Sequence, residues 1–519
     1  MSLTARKQAG HLPPAYVCVW CSRLDTKASI APRAMTPDAP APSRFPRQWP
    51  ALLLGALLGA LLTTLLSPTA PADDKSTTFV TVSGFNNAPV QHPDSSHTSL
   101  APSCAPGVPA PAPDTSVRRY LTIDEQLARL YTPEGHHPLS VLDLDPAALA
   151  VETHAVQQAI YAHQHPADCS TAKFVVSKGH VLPAGIGSHL HVAGMHLAYA
   201  LQHGRIFFFG DETGAGWTDN VTCTVRTWEC FFRAPTHCPR SLLTAPGADV
   251  VEMQYERVAD GSMDHRDAPP VFGHYFDRHF PGASKHLRKF WWRGQSVAYL
   301  MRLNDAALGH IVKMRTEKSS QRLKGAGRLD VASAATIPLP RGVVHVHIRH
   351  GDKGDEMTLQ GGKVYADAAE KLAQLHLQTL RREMFVSSED DAAIAEITTL
   401  LPKWEFLWYD LPRSNLGPLA QVNALGADHA ATTTLQHLQQ LMISLEADAW
   451  VGTRASNWNR LIDEFRCTWI ARCHNPYEEV GDGWCVLHSA VVCAPEHPHS
   501  FTHPRPFHFL TSRREEYGW

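Results

Sequence analysis

The chain has almost no net charge to offer a partner. Its 47 lysines and arginines nearly cancel its 50 aspartates and glutamates, leaving −3 over 519 residues. No global charge therefore points to nucleic acid. Eleven cysteines are too few for a disulfide-built small domain but suit a secretory-pathway domain with a few bridges. Cys18 and Cys21 have CxxC spacing, yet no second pair accompanies them, which makes a poor zinc site. No glycine-rich dinucleotide fingerprint follows any expected strand. What is present is an ordinary globular share of apolar residues, 44%, which argues against disorder along the whole chain.

One apolar run stands out, Ala51 to Leu66, without a charge. It is at the lower limit for a membrane span. Seven basic residues from Arg6 to Arg47 precede it against Asp25 and Asp38, while Asp73 and Asp74 follow. The positive-inside rule then expects a cytoplasmic tail over 1–48, a signal-anchor helix over 49–67 and a lumenal remainder. A cleaved signal peptide would need a far shorter leading segment, and an organellar transit peptide is the other alternative. Residues 68–118, rich in Pro, Ser and Ala, read as an extended stem. This plan fits a single-pass type II Golgi membrane protein with its catalytic domain lumenal.

The rest divides into an N-terminal half, 119–340, and a Rossmann-like half, 341–475, with a Cys/His/Pro-rich tail over 476–519. Periodicity in the N-terminal half predicts helices at Thr122–Tyr131, Pro146–His163, Leu190–His203 and Leu287–Arg302, with strands at Phe174–Val176 and Arg205–Phe209. From Val343 the pattern is strand, helix, four times over, which predicts a parallel sheet. The expected fold class is α/β, GT-B-like, with an α-rich first half. Such sheets bind ligands beyond the C-terminal ends of their strands. Three strand ends carry polar chemistry: Arg349, His350, Asp352, Lys353 and Glu356 after the first, Glu389 and Asp390 after the second, Ser456 and Asn457 after the fourth. Arg349 and Lys353 suit a diphosphate, with Arg offering a two-toothed fork. The helix start at Ser456 offers N–H groups to an anion, and Glu356 is placed to take a proton from an attacking hydroxyl. Singly, each has a plainer role: a strand-end salt bridge for Asp352, a solvated turn for Glu389 to Asp391, an ordinary N-cap for Ser456.

The stretch His347, Ile348, Arg349, His350, Gly351, Asp352, Lys353 with Glu356 resembles the H-V-R-R-x-D-K…E motif of the core α1,6-fucosyltransferase family (glycosyltransferase family 23) and its nodulation fucosyltransferase relatives. Further blocks keep the family's order: Cys169 to Lys173, Lys178 with Gly179, Gly185 to His191, Trp228 to Arg233, Trp291 to Arg302, Glu389 with Asp390, and Val451 to Asn457 with Arg460 and Glu464. The resemblance implies inverting, metal-independent transfer of fucose from GDP-fucose to the core GlcNAc of an N-glycan in α1,6 linkage, with no cofactor. It assigns the GDP β-phosphate to Arg349, guanine to His347, the base to Glu356, and to Lys353 the role of that base's partner or of a donor contact. Asp352, Glu389, Asp390, Ser456 and Asn457 would line the donor pocket. It also implies a disulfide between Cys169 and Cys238.

Departures are visible. His350 replaces the motif's second Arg and would carry little charge at neutral pH, Gln440 stands where the family has a guanine-reading Asp, and Ile186 replaces a Tyr. No coiled coil or SH3 pattern is visible. Cys223 and Cys230 can pair with each other, and Cys467, Cys473, Cys485 and Cys493 are expected to supply one or two bridges. Cys104 is the expected odd thiol. Asn220 opens a glycosylation sequon with Thr222, consistent with lumenal exposure. Two other readings compete: a metal-binding β-barrel using His345, His347 and Asp352, and a catalytically dead sugar-binding or scaffold protein of the same fold.

Overall fold

The computed structural model describes residues 119–178, 184–211, 214, 216–254, 268–282, 285–316, 323–327, 337–355, 358–413, 420, 422, 426–453 and 455–481. The expected tail, anchor and stem, Glu356, and the chain beyond 481 lie outside these residues. No helix among the described residues is long and apolar enough to cross a membrane.

The N-terminal half runs α1 (Ile123–Arg129), α2 (Thr153–Gln164), β1 (Lys173–Ser177), α3 (Ile186–Gln202), β2 (Arg205–Phe209), β3 (Val250–Met253), α4 (Pro270–Asp277), α5 (Lys285–Leu300) and α6 (Asp305–Thr316). Thr122 and Glu125 form a capping box that starts α1. The expected helix over Pro146–His163 is broken in two. Pro146 opens a short 3₁₀ turn, and Glu152 adopts a left-handed conformation (φ 59°) before α2 begins. Strands β2, β1 and β3 form a three-stranded parallel sheet in that order.

The second half runs β4 (Leu323–Ala326), β5 (Val344–Ile348), α7 (Gly362–Leu375), β6 (Glu383–Ser388), α8 (Asp391–Leu400), β7 (Glu405–Tyr409), α9 (Ala430–Glu446), β8 (Ala449–Gly452), α10 (Asn457–Thr468) and β9 (Tyr477–Glu479). Its six-stranded sheet is ordered β4-β7-β6-β5-β8-β9, and every pairing is parallel except β4 with β7. Every β5 residue is buried, as expected of a central parallel strand covered on both faces. Alternation sorts its side chains. Val344, Val346 and Ile348 pack with Tyr365, Leu372 and Val386 in one cluster, leaving His345 and His347 on the other face. Each such aliphatic side chain contributes roughly 1.5–3 kcal/mol by burial.

The largest core joins the two halves. Leu190 and Leu197 of α3 and Trp291 and Trp292 of α5 share it with Leu435 and Leu438 of α9 and Leu461 and Phe465 of α10. Thus α10, which leaves the second sheet, packs on helices of the first half. Disulfides link Cys169 to Cys238, Cys223 to Cys230 and Cys467 to Cys473. Asn220 is exposed on a turn held by Asp219, whose carboxylate accepts from the N–H groups of Val221 and Thr222.

Candidate functional site

A cavity of about 260 Å³ lies beyond the C-terminal ends of β5 and β6 and is lined in part by the first half. Arg349, Asp352 and Lys353 enter it from the end of β5 and the 3₁₀ turn Gly351–Asp355. Ser387, Ser388 and Glu389 enter from β6, Gln440 and His437 from α9, and Ser456 and Asn457 from the start of α10. The first half supplies Trp217 and the opening turn of α3, Gly185 to Ser188.

Two helix N-termini therefore face one space. Ser456 caps α10 by accepting from the Asn459 N–H, while α3 begins at Gly185 with no side-chain cap. First-turn N–H groups lack partners within a helix, and the helix dipole adds positive potential there. The two ends touch: Asn457 donates from Nδ2 to the Ser188 hydroxyl at 2.8 Å. The Asn457 amide is held further by His191 Nδ1 at 3.0 Å and by Arg460 at 2.9 Å. Behind it a buried charge cluster ties the halves together. Glu464 bonds His191 at 2.9 Å and Arg293 at 2.7 Å. Burial works against the Glu464 charge, but His191 and Arg293 outweigh it and lower its pKa.

Arg349 is the buried cation at the centre. Its guanidinium pairs with Glu389 and Asp352 and donates to the His350 carbonyl at 2.9 Å. Burial opposes its charge, yet the two carboxylates raise its pKa further. Asp352 is thus the expected strand-end salt bridge and also a cavity wall. Lys353 is buried beside it. Sequence reasoning missed a further cation, Arg413, buried and bonded to the Ser388 carbonyl at 2.9 Å and to Asp391 at 2.7 Å. It follows β7, the strand end that carries no recognisable motif.

His350 needs a correction. Its Nδ1 lies 2.9 Å from Asp390 Oδ2 and its Nε2 lies 2.9 Å from the Gln360 carbonyl oxygen. Both partners can only accept, so the ring is held doubly protonated. Burial works against that charge, but Asp390 and Gln360 outweigh it and raise the pKa. The charge is therefore present, but spent on Asp390. Neither side chain is among those lining the cavity; Asp390 also caps α8 through the Ala392 N–H.

His345 and His347 do share one face of β5, as their spacing predicts, but they meet through the Ser387 hydroxyl, at 3.0 and 2.9 Å. Their strand sits inside a helix-covered parallel sheet, which rules out the β-barrel metal reading. Burial, with Arg349 adding to it, pushes the His347 pKa down to about 3. His347 Nε2, Trp217 Nε1 and His437 Nε2, on three residues that line the cavity, are buried with no hydrogen-bond partner among the described residues. Sequence reasoning singled out His347 but not Trp217 or His437, which carry no spacing signal. Among the described residues, one group of ligand atoms lies close enough to hold a metal ion, Cys169, His237 and Cys238, and its two sulfurs are joined in a disulfide.

No family model matches this chain, and no curated protein matches it. Several solved structures are similar to it. The fucosyltransferase NodZ from Bradyrhizobium shares 12% identity, covering 61% of this chain and 98% of its own, with a TM-score of 0.31. A mutant of Arabidopsis thaliana FUT1 in complex with GDP shares 10% identity over 60% of this chain and 72% of its own, with a TM-score of 0.30. POFUT1 in complex with GDP-fucose shares 13% identity over 60% of this chain and 99% of its own, with a TM-score of 0.28.

Proposed function

We propose that this protein transfers fucose from GDP-fucose to a glycan acceptor, with the nucleotide diphosphate held in the cavity beyond β5 and β6. The observation that carries the reading is the meeting of two helix N-termini, α3 and α10, beside the buried Arg349. N–H groups and a fork-shaped cation facing one cavity suit a diphosphate both as substrate and as leaving group. The exposed Asp352 can yield its place on Arg349 to phosphate oxygens, while Glu389, at 11% exposure, keeps the guanidinium oriented.

The motif blocks that surround these residues support fucose as the sugar and the innermost GlcNAc of an N-glycan, in α1,6 linkage, as the acceptor. In this reading no metal or other cofactor takes part, because Arg349, Lys353 and the helix ends meet the developing charge on GDP. Glu356 is the base that removes the acceptor proton, and inversion needs one such group. The type II Golgi membrane topology, with this domain in the lumen, completes the proposal.

Calorimetric titration of the full chain with GDP, GDP-fucose, GDP-mannose and UDP tests the donor. Selective binding of GDP and GDP-fucose is the expected result; binding of none would favour the dead-scaffold reading. With an acceptor in hand, Glu356→Gln should keep GDP affinity and lose rate, and EDTA should leave turnover unchanged. A strict Mn²⁺ requirement would overturn the metal-independent mechanism.

A further inference from the structure

The chain holds a single Asn-x-Ser/Thr sequon, Asn220-Val221-Thr222, and the turn that carries it makes no use of its asparagine. Asparagine enters turns for two physical reasons: its side chain bonds the local backbone, or it tolerates a left-handed conformation. Neither holds at Asn220. The neighbouring Asp219 does the bonding. Its Oδ1 accepts from the Val221 and Thr222 N–H groups at 3.0 and 2.6 Å, and its Oδ2 accepts from the Ala431 N–H in α9 at 2.8 Å. Among the described residues, positive φ outside glycine occurs at Glu152 and Ala471 and not at Asn220.

Burial divides the two neighbours in the same way. Asp219 is 3% exposed, whereas Asn220, Val221 and Thr222 are all exposed, as are Thr224, Val225 and Arg226 beyond them. The segment is still fixed in place. The Trp217 carbonyl accepts from the Thr434 hydroxyl at 2.8 Å, the Asp219 carbonyl accepts from the Cys223 N–H at 3.3 Å, and Cys223 is bridged to Cys230. Trp217 lines the cavity and Asn220 does not. Within three residues the chain passes from the cavity wall to the outer surface.

We propose that Asn220 is a modification site that carries an N-linked oligosaccharide on the outside of the cavity wall. The donor is an oligosaccharide held on a lipid diphosphate. The bond from its first sugar C1 to the diphosphate breaks, C1 joins Asn220 Nδ2, the carboxamide gives up one proton, and the lipid diphosphate leaves. The hydroxyl this transfer requires two residues on is that of Thr222. A sugar there costs the fold no hydrogen bond, because Asp219 holds the turn. Attachment rests on the lumenal topology proposed above; the fitness of the exposed turn does not. A sugar at Asn220 would fix the side of the membrane on which the cavity works.

The full chain, expressed in cells whose secretory pathway attaches N-glycans, tests this with peptide N-glycosidase and mass spectrometry. The expected result is one glycan, released with conversion of Asn220 to aspartate, absent from Asn220→Gln and Thr222→Ala and kept in Thr222→Ser. A glycan that persists in Asn220→Gln would overturn the assignment. Leu377→Asn supplies the control for topology, since it makes a second sequon with Gln378 and Thr379 on an exposed turn. A glycan on that variant's new site alone would overturn the Asn220 site and leave the lumenal topology standing. No glycan on either site would overturn the topology and the inference with it. Asn220→Gln and Thr222→Ala, both without the sugar, should melt together, while Asp219→Ala should melt lower than either. A markedly lower melting temperature for Asn220→Gln than for Thr222→Ala would show that the turn uses its asparagine and would overturn the division of roles.

Discussion

Gly187 and Asn457 meet across the cavity from opposite halves of the chain, so closely that a Cβ on Gly187 would lie 2.9 Å from the Asn457 carbonyl oxygen. That oxygen belongs to a helix backbone and cannot swing aside. Gly187→Ala is expected to push the two helix ends apart, with a stability cost of about 1–3 kcal/mol from overpacking. Its GDP affinity should fall at least tenfold by calorimetry. An unchanged Kd would mean that the helix ends do not hold the diphosphate.

Arg349 serves Glu389, Asp352 and the His350 carbonyl at once. A lysine is a point charge on a flexible stem and cannot hold all three in one plane. Arg349→Lys should therefore fold, yet bind GDP more weakly by roughly tenfold to a hundredfold, the range for charge-assisted hydrogen bonds. Parallel thermal melts would separate lost binding from lost structure.

The His350–Asp390 pair makes stability depend on pH in a defined direction. The folded pKa of His350 is raised above its ordinary 6.5, so its contribution is complete below that value and is lost as pH rises through the folded pKa. Asp390 is lowered from 3.8 despite opposing burial, chiefly by the His350 hydrogen bond. Its contribution is complete above 3.8 and is lost as pH falls through the lowered value. Melting temperatures of wild type and His350→Gln should differ most between these limits and converge in alkali. A gap that widened in alkali would refute the assignment.

Glu464 is buried between the Arg293 guanidinium and the His191 ring. Glu464→Gln leaves the Arg293 charge uncompensated, an error worth about 3–5 kcal/mol in a buried site. Urea unfolding should shift accordingly. The variant should also lose GDP affinity, because His191 steadies Asn457 from the same cluster.

The parallel sheet was legible because β5 and β6 are short apolar runs separated by an amphipathic helix, and the two patterns have different periods. Strand β4, with sequence LKGA, and strand β9, with YEE, show no such pattern. Their neighbours β7 and β8 recruit them to the sheet, which is a tertiary effect that propensity cannot carry. The start of α3 also lies before the predicted Leu190, because its first turn, Ile186 to His189, lacks a clear apolar stripe. At the site, Arg349, Glu389 and Ser456 were readable from strand ends alone. The true state of His350 was not, since its charge depends on Gln360 and Asp390, ten and forty residues away. Trp217, His437 and Arg413 reach the cavity only through folding, and nothing beside them in sequence announces it.

Ser188 and Asn457, whose side chains join the two walls, are separated by 269 positions. A ribosome adding 5–20 residues per second would need on the order of tens of seconds to cover that interval. Throughout it, Leu190, Ala193 and Leu197 of α3 would lack the α9 and α10 side chains that share their core. A nascent N-terminal half is thus an apolar surface waiting for its cover, and a chain stopped before residue 457 has neither a sealed core nor a second wall. Errors late in synthesis should therefore produce aggregation-prone fragments rather than weakly active ones.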